Sequence, residues 1–237
     1  MTARTQRRPP WVRAIAFLIV ACTVTTLVGL GTWQLRRLEW KRELIAAVEA
    51  RAYEPAVEAP VGSVTRDEDA YRRVRVTGRF HHDQSRRVKA LTALGSGFWL
   101  MVPLETERDT VWINRGFVPS GTGAEAWYRP QGLLHVEGLL RVTEPGGTLL
   151  EKNDPPASRW YSRDVAALAR DAGVEQARPY FIDADHSGPP SGFPRGGLTQ
   201  LSFRNTHLAY ALTWYAMAAL LLGASFFVRF RAEESEP

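Results

Sequence analysis

Thiols are almost absent from this chain of 237 residues. Cys22 is the only cysteine, and it sits in an apolar run near the N-terminus. The long polar middle of the chain therefore can form no disulfide and offers no paired-cysteine metal site, a composition at ease in an oxidising compartment. Lysine is scarce too. Only Lys41, Lys89 and Lys152 contribute to the 30 basic residues, so arginine carries nearly all the positive charge and a lone arginine is weak evidence of a role. The net charge of +5 is modest, and no dense basic tract marks a nucleic-acid partner. The sequence holds no dinucleotide fingerprint, no Walker loop, no HExxH and no GxSxG.

Two long stretches lack charge altogether. Ala14–Leu35 lies between Arg13 and Arg36, and Asn205–Val228 between Arg204 and Arg229. At a rise of about 1.5 Å per residue, the second spans roughly 36 Å, enough for a hydrocarbon core of about 30 Å. The first is long for a signal-peptide core and no Ala-x-Ala site lies within the ten residues after it, so it also reads as a span. This predicts a cytoplasmic tail over 1–13, a transmembrane helix over 14–35 and a juxtamembrane helix over 36–52. An outer domain over 53–204, a second transmembrane helix over 205–228 and a tail over 229–237 complete the division. Arg4, Arg7, Arg8 and Arg13 before the first span match Arg36, Arg37, Lys41 and Arg42 after it, so local charge alone does not orient the chain. Arg229 and Arg231 join the N-terminal side, which places both tails in the cytoplasm and the domain outside.

The middle reads as mainly antiparallel β. Val74, Val76, Gly78 and Phe80 alternate with polar neighbours, and Leu134, Val136, Gly138, Leu140 and Val142 repeat the design. Glycine within each apolar face points to a bent strand, as at a barrel corner. Phe98–Leu104 and Thr110–Val118 flank a polar turn and form a hairpin; Arg86–Leu91 and Pro179–Asp183 add strands. Pro103 and Pro119 are expected at strand ends. Tyr53–Asp69 reads as a linker and Ser187–Gly197 as a loop. Asp164 caps a short helix closed by Gly173. The fold class is α+β: two transmembrane helices flanking a small barrel or open sheet with one short helix.

Chemistry-bearing clusters are sparse. His81 and His82 are adjacent, so on a strand they face opposite ways. Asp183, Asp185 and His186 read as solvated loop polarity, and a Ser162–Asp164–His186 trio is the sort any chain of this size supplies. The membrane edge is richer. His207, Tyr210, Ala211 and Trp214 share one helix face, and His207 is an ionisable group at the rim of a span. Trp33, Arg36, Arg37 and Trp40 form a basic–aromatic collar after the first span. Plain anchoring by tryptophan and snorkelling arginine explains such a collar; so does a dock for an anionic amphiphile or a partner's helix. Haem is one group this edge suits: histidine for iron, aromatic faces for the ring, and Arg36, Arg37 and Arg115 for propionates. Covalent c-type attachment is excluded because no Cys-x-x-Cys-His exists.

Four motifs in order carry a resemblance: GTWQLRRLEWK at 31–41, NRGFVP at 114–119, NDPP with WYSRD at 153–164, and NTHLAYALTWY at 205–215. Together they resemble the Surfeit locus protein family of cytochrome c oxidase assembly factors over nearly the whole chain. Phe117 stands where that family commonly has Trp, and Thr206 where it often has Asn. The resemblance implies a non-enzymatic role in maturing cytochrome c oxidase subunit I, with haem A bound and delivered. It implies His207 as the iron ligand, and a bacterial inner membrane as the location. The haem A synthesis enzyme is a further candidate partner beside the lipid bilayer. Two other classes stand beside it: a haem-free chaperone of the immature subunit, and a membrane-tethered periplasmic enzyme or sensor.

Overall fold

The computed structural model describes residues 9–148, 151–199, 201 and 205–234. Arg4, Arg7, Arg8 and Arg204, used above to delimit and orient the spans, lie outside them. The chain divides into two units: Met1–Ala46 with Ser202–Pro237, and Ala47–Leu201.

Helix α1 covers Pro10–Tyr53, 44 residues without a break. Pro10 opens it, where a missing N–H costs nothing, and no later proline or internal polar break interrupts it. The helix continues through the charged stretch after Leu35. Helix α4 covers His207–Glu234. Both are long and apolar enough to cross a membrane, and 11% of each apolar window is buried, so neither is the core helix of a soluble fold. Hydroxyls inside these runs donate back to carbonyls one turn earlier: Thr23 to Ile19, Thr26 to Cys22, Thr32 to Val28, Thr213 to Ala209 and Ser225 to Leu221. In hydrocarbon that self-satisfaction is what a hydroxyl requires.

The second unit is built from β1 (Val57–Glu58), α2 (Arg66–Asp69), β2 (Arg73–Phe80), β3 (Arg86–Thr92), β4 (Gly95–Glu105), β5 (Thr110–Pro119), β6 (Leu134–Val142), α3 (Val165–Ala172) and β7 (Ala177–Ala184). The sheet order is β1-β2-β6-β7-β5-β4-β3, and β2 also pairs with β4. Five strands, β2-β6-β7-β5-β4, therefore close on themselves as a barrel, which decides between the barrel and the open sheet. The pairings are antiparallel except β5 with β7 and β1 with β2.

Each barrel strand sends residues inward: Val74 and Val76, Leu104, Val111 and Ile113, Val136 and Leu140, Tyr180 and Ile182. On the outside, Trp112 and Phe181 pack with Met101, Trp160, Val165 and Leu168 under α3. Strands β5 and β7 are thus buried on both faces, which is why they read as continuous apolar runs rather than alternations. The glycines do what their placement suggested. A methyl at Gly78 would meet the Glu105 carbonyl where β2 closes onto β4, and one at Gly138 would meet the Asp183 carbonyl.

Asp164 caps α3 by accepting from Ala167 N–H, and Gly173 ends it in a left-handed conformation at φ 69°, as the sequence implies. Two expectations change. Pro103 lies inside β4, not at its end. Its carbonyl accepts from His81 N–H at 3.0 Å, so its missing N–H faces the side where β2 runs out and little pairing is lost. The Tyr53–Asp69 linker contains β1 and α2, and it is tied to β7: Tyr180 Oη donates to Pro60 O at 2.7 Å and Arg178 donates to Ala59 O at 3.2 Å.

Candidate functional site

At the entry of α4, Asn205 Oδ1 accepts from His207 N–H at 3.4 Å, and Tyr210 N–H makes the first helical bond, to Thr206 O at 3.2 Å. These bonds start the helix at His207. The imidazole is half-buried, and its Nδ1 lies 2.7 Å from Gln34 Oε1 on α1. An amide oxygen only accepts, so Nδ1 is the donor in this bond. Nε2 has no hydrogen-bond partner among the described residues. Deeper along the pair, Thr32 and Tyr215 share a hydrogen bond of 3.0 Å. Gly31 lies against the Tyr215 ring, where an added Cβ would come within 2.8 Å. Ala211 and Ala218 are buried on one face of α4.

The other sequence-selected residues distribute unevenly. Trp33, Trp40 and Tyr210 are exposed, Trp214 is half-buried, and Arg36 and Arg37 are exposed. The Arg37 guanidinium stacks on Trp40 at 3.8 Å, a cation–π pair within the collar. Arg115 is different. It lies in the barrel domain, 6% exposed, donating to Tyr128 O at 2.7 Å and stacking on Phe80 and Tyr128. Burial holds its pKa down to about 10, with Arg129 adding to the effect. Its side chain is enclosed within the barrel domain rather than presented at a surface.

Sequence reasoning missed two polar centres. Gln34 is one; it is the only side-chain amide in Ala14–Leu35, and that is the signal that could have found it. The other is Asp183, read as solvated but 6% exposed. It accepts from Asn114 at 2.7 Å, Arg141 at 2.8 Å, Arg163 at 3.1 Å and Thr199 at 3.0 Å. Arg163 also grips Glu144 through two bonds, of 2.6 and 3.0 Å. Burial would lower the Arg163 pKa, but the Asp183 charge and the Glu144 bond outweigh it and raise it. This network borders a cavity of about 320 Å³ lined in part by Leu94, Trp99 and Asn114. Asn114 Oδ1 accepts from Gly116 N–H, and a side chain at Gly116 would strike the Arg195 backbone. The NRG of NRGFVP therefore fastens the barrel.

Ser162, Asp164 and His186 do not come together as a trio. Ser162 Oγ accepts from Gly147 N–H and Asn153 Nδ2, Asp164 caps α3, and His186 bonds Pro189 O, so the trio is split among separate structural tasks. His81 pairs with Glu105 and His82 with Pro130 O. Among the described residues no group of three histidine, cysteine or acidic side chains could hold a metal ion.

A model of the SURF1 family matches residues 21–219. That match takes in most of α1, the whole barrel and the first part of α4. The chain belongs to the SURF1 family. Surfeit locus protein 1 of Rattus norvegicus is 34% identical over 214 residues, covering 82% of this chain and 69% of the relative. The mouse protein of that name (Mus musculus) is 35% identical over 215 residues, covering 82% and 69%. The Homo sapiens protein is 34% identical over 215 residues, covering 82% and 71%. Within this SURF1-family chain the match ends at residue 219, so it includes the α4 entry where His207 sits.

Proposed function

We propose that this chain is a non-enzymatic assembly factor for haem-copper cytochrome c oxidase that binds haem A at the membrane surface and aids its insertion into subunit I. Family membership supports the assembly role. The observation that carries the haem reading is the half-buried His207 imidazole, with one ring nitrogen occupied by Gln34 and the other without a hydrogen-bond partner among the described residues. A single neutral imidazole is the donor that haem iron takes, and a bound haem supplies a porphyrin-held iron as cargo rather than as a catalyst. His207 would hold the iron, Tyr210 and Trp214 would flank the macrocycle, and Trp33, Arg36, Arg37 and Trp40 would meet its edge and propionates. The proposal places α1 and α4 across a bacterial inner membrane, both termini in the cytoplasm and the barrel in the periplasm. Subunit I and the haem A synthesis enzyme are the proposed partners.

The test is an absorption spectrum of the protein purified from cells that make haem A. A Soret band lost in His207→Ala supports the carrier. Apo protein that still co-purifies with subunit I would replace it with the haem-free chaperone. Reversing charge at Arg36 and Arg37 together should weaken haem retention while leaving the protein in the membrane; unchanged retention removes both arginines from the site.

A further inference from the structure

We infer that Gln34 is the positioning residue of the haem site, fixing the tautomer and ring orientation of His207 so that Nε2 is the ligating nitrogen. The inference rests on the carrier reading but has its own content. A neutral imidazole has one protonated nitrogen, and whichever nitrogen donates a hydrogen bond is unable to bind iron. The bond from Nδ1 to Gln34 Oε1, at 2.7 Å, is short and crosses 173 positions of sequence. It assigns the proton to Nδ1 and leaves the Nε2 lone pair free. The backbone is pinned separately, by Asn205 Oδ1 on His207 N–H, so ring rotation is the freedom that remains and Gln34 is what removes it. Metal-binding histidines depend on such a partner at the far nitrogen, and losing it weakens metal affinity roughly ten- to a hundredfold. The geometry further requires α1 and α4 to keep their register, and the Thr32–Tyr215 bond holds the same helix pair.

The decisive measurement needs no haem. Full-length protein in detergent, labelled with ¹⁵N in its five histidines, reports the tautomer of each ring through long-range ¹⁵N–¹H couplings in mildly alkaline buffer. The His207 signal is the one missing from His207→Ala. Protonation at Nδ1 in the wild type, shifting toward Nε2 in Gln34→Leu and restored in Gln34→Glu, supports the inference. Protonation at Nε2 in the wild type overturns it. Titration of the same samples with hemin gives the second readout. Gln34→Leu should bind roughly ten- to a hundredfold more weakly, and Gln34→Glu should recover the loss. If hemin binds the wild type through His207 but Gln34→Leu changes neither the couplings nor the affinity, the Gln34 role fails and the carrier stands. If His207→Ala binds hemin as the wild type does, the carrier reading fails, whatever the couplings show.

Discussion

Asp183 in the barrel is buried and His207 in the helix pair half-buried, and their surroundings differ in a more telling respect. Asp183 receives four side-chain donors, two of them guanidiniums. His207 has one ring nitrogen engaged and the other without a hydrogen-bond partner among the described residues. A buried carboxylate that is fully paired has nothing left to offer a ligand; it holds strands together. An imidazole held from one side is poised to do something with the other. The comparison separates a structural polar centre from a receptive one, on bonding capacity rather than on residue type.

Removing the Asp183 carboxylate tests the first half most severely. Asp183→Ala leaves Arg141 and Arg163 facing a void with only Glu144 to neutralise them, and should cost about 3–5 kcal/mol. Thermal unfolding of the full chain in detergent, followed by the β-sheet circular-dichroism band, should show a large drop in midpoint; an unchanged midpoint would break the contrast. Gly138→Ala puts a methyl against the Asp183 carbonyl and should cost about 1–3 kcal/mol by the same measurement. Asp164→Ala removes the α3 cap and should cost about 1 kcal/mol. The acid limb sharpens the comparison further. Burial pushes the Asp109 pKa up, but the hydrogen bonds from Arg178 and Thr106 and the Arg178 charge bring it below its ordinary 3.8. A depressed carboxylate stabilises the fold above its unfolded pKa and loses that contribution as pH falls through the folded one. Asp109→Asn should therefore be less stable at neutral pH and show a shallower decline in stability as pH falls below about 4. Smallest of all, His207→Ala should leave the barrel's melting within about 0.5 kcal/mol of wild type, since its bond belongs to the helix pair.

Local signals were readable in the sequence and long-range ones were not. The β4–β5 hairpin announced itself by two apolar runs around a polar turn, and α3 by Asp164 and Gly173 at its two ends. The pairing of β5 with β7 left no such trace, because parallel neighbours share no turn. Asp183 was misread for the same reason: its partners Asn114, Arg141 and Arg163 are scattered along the chain, and an acid between a strand and a loop looks solvated until the barrel closes over it. Gly78 and Gly138 were legible as bends, though the crowding carbonyls were not. At the membrane edge His207 stood out by being ionisable, whereas Gln34 is uncharged and meets it only when two helices far apart in sequence pack.

The sheet order has a bearing on how the protein is made. Strand β7, the last of the seven along the chain, takes a central place between β5 and β6. Until residue 184 has been synthesised, the first four strands of the future ring present two unzipped margins with bare amides and carbonyls, a template for pairing with the wrong neighbour. A message cut short before Ala177 would thus yield not a smaller barrel but an adhesive ribbon, and quality control would meet it as aggregate rather than as a weakened but soluble domain.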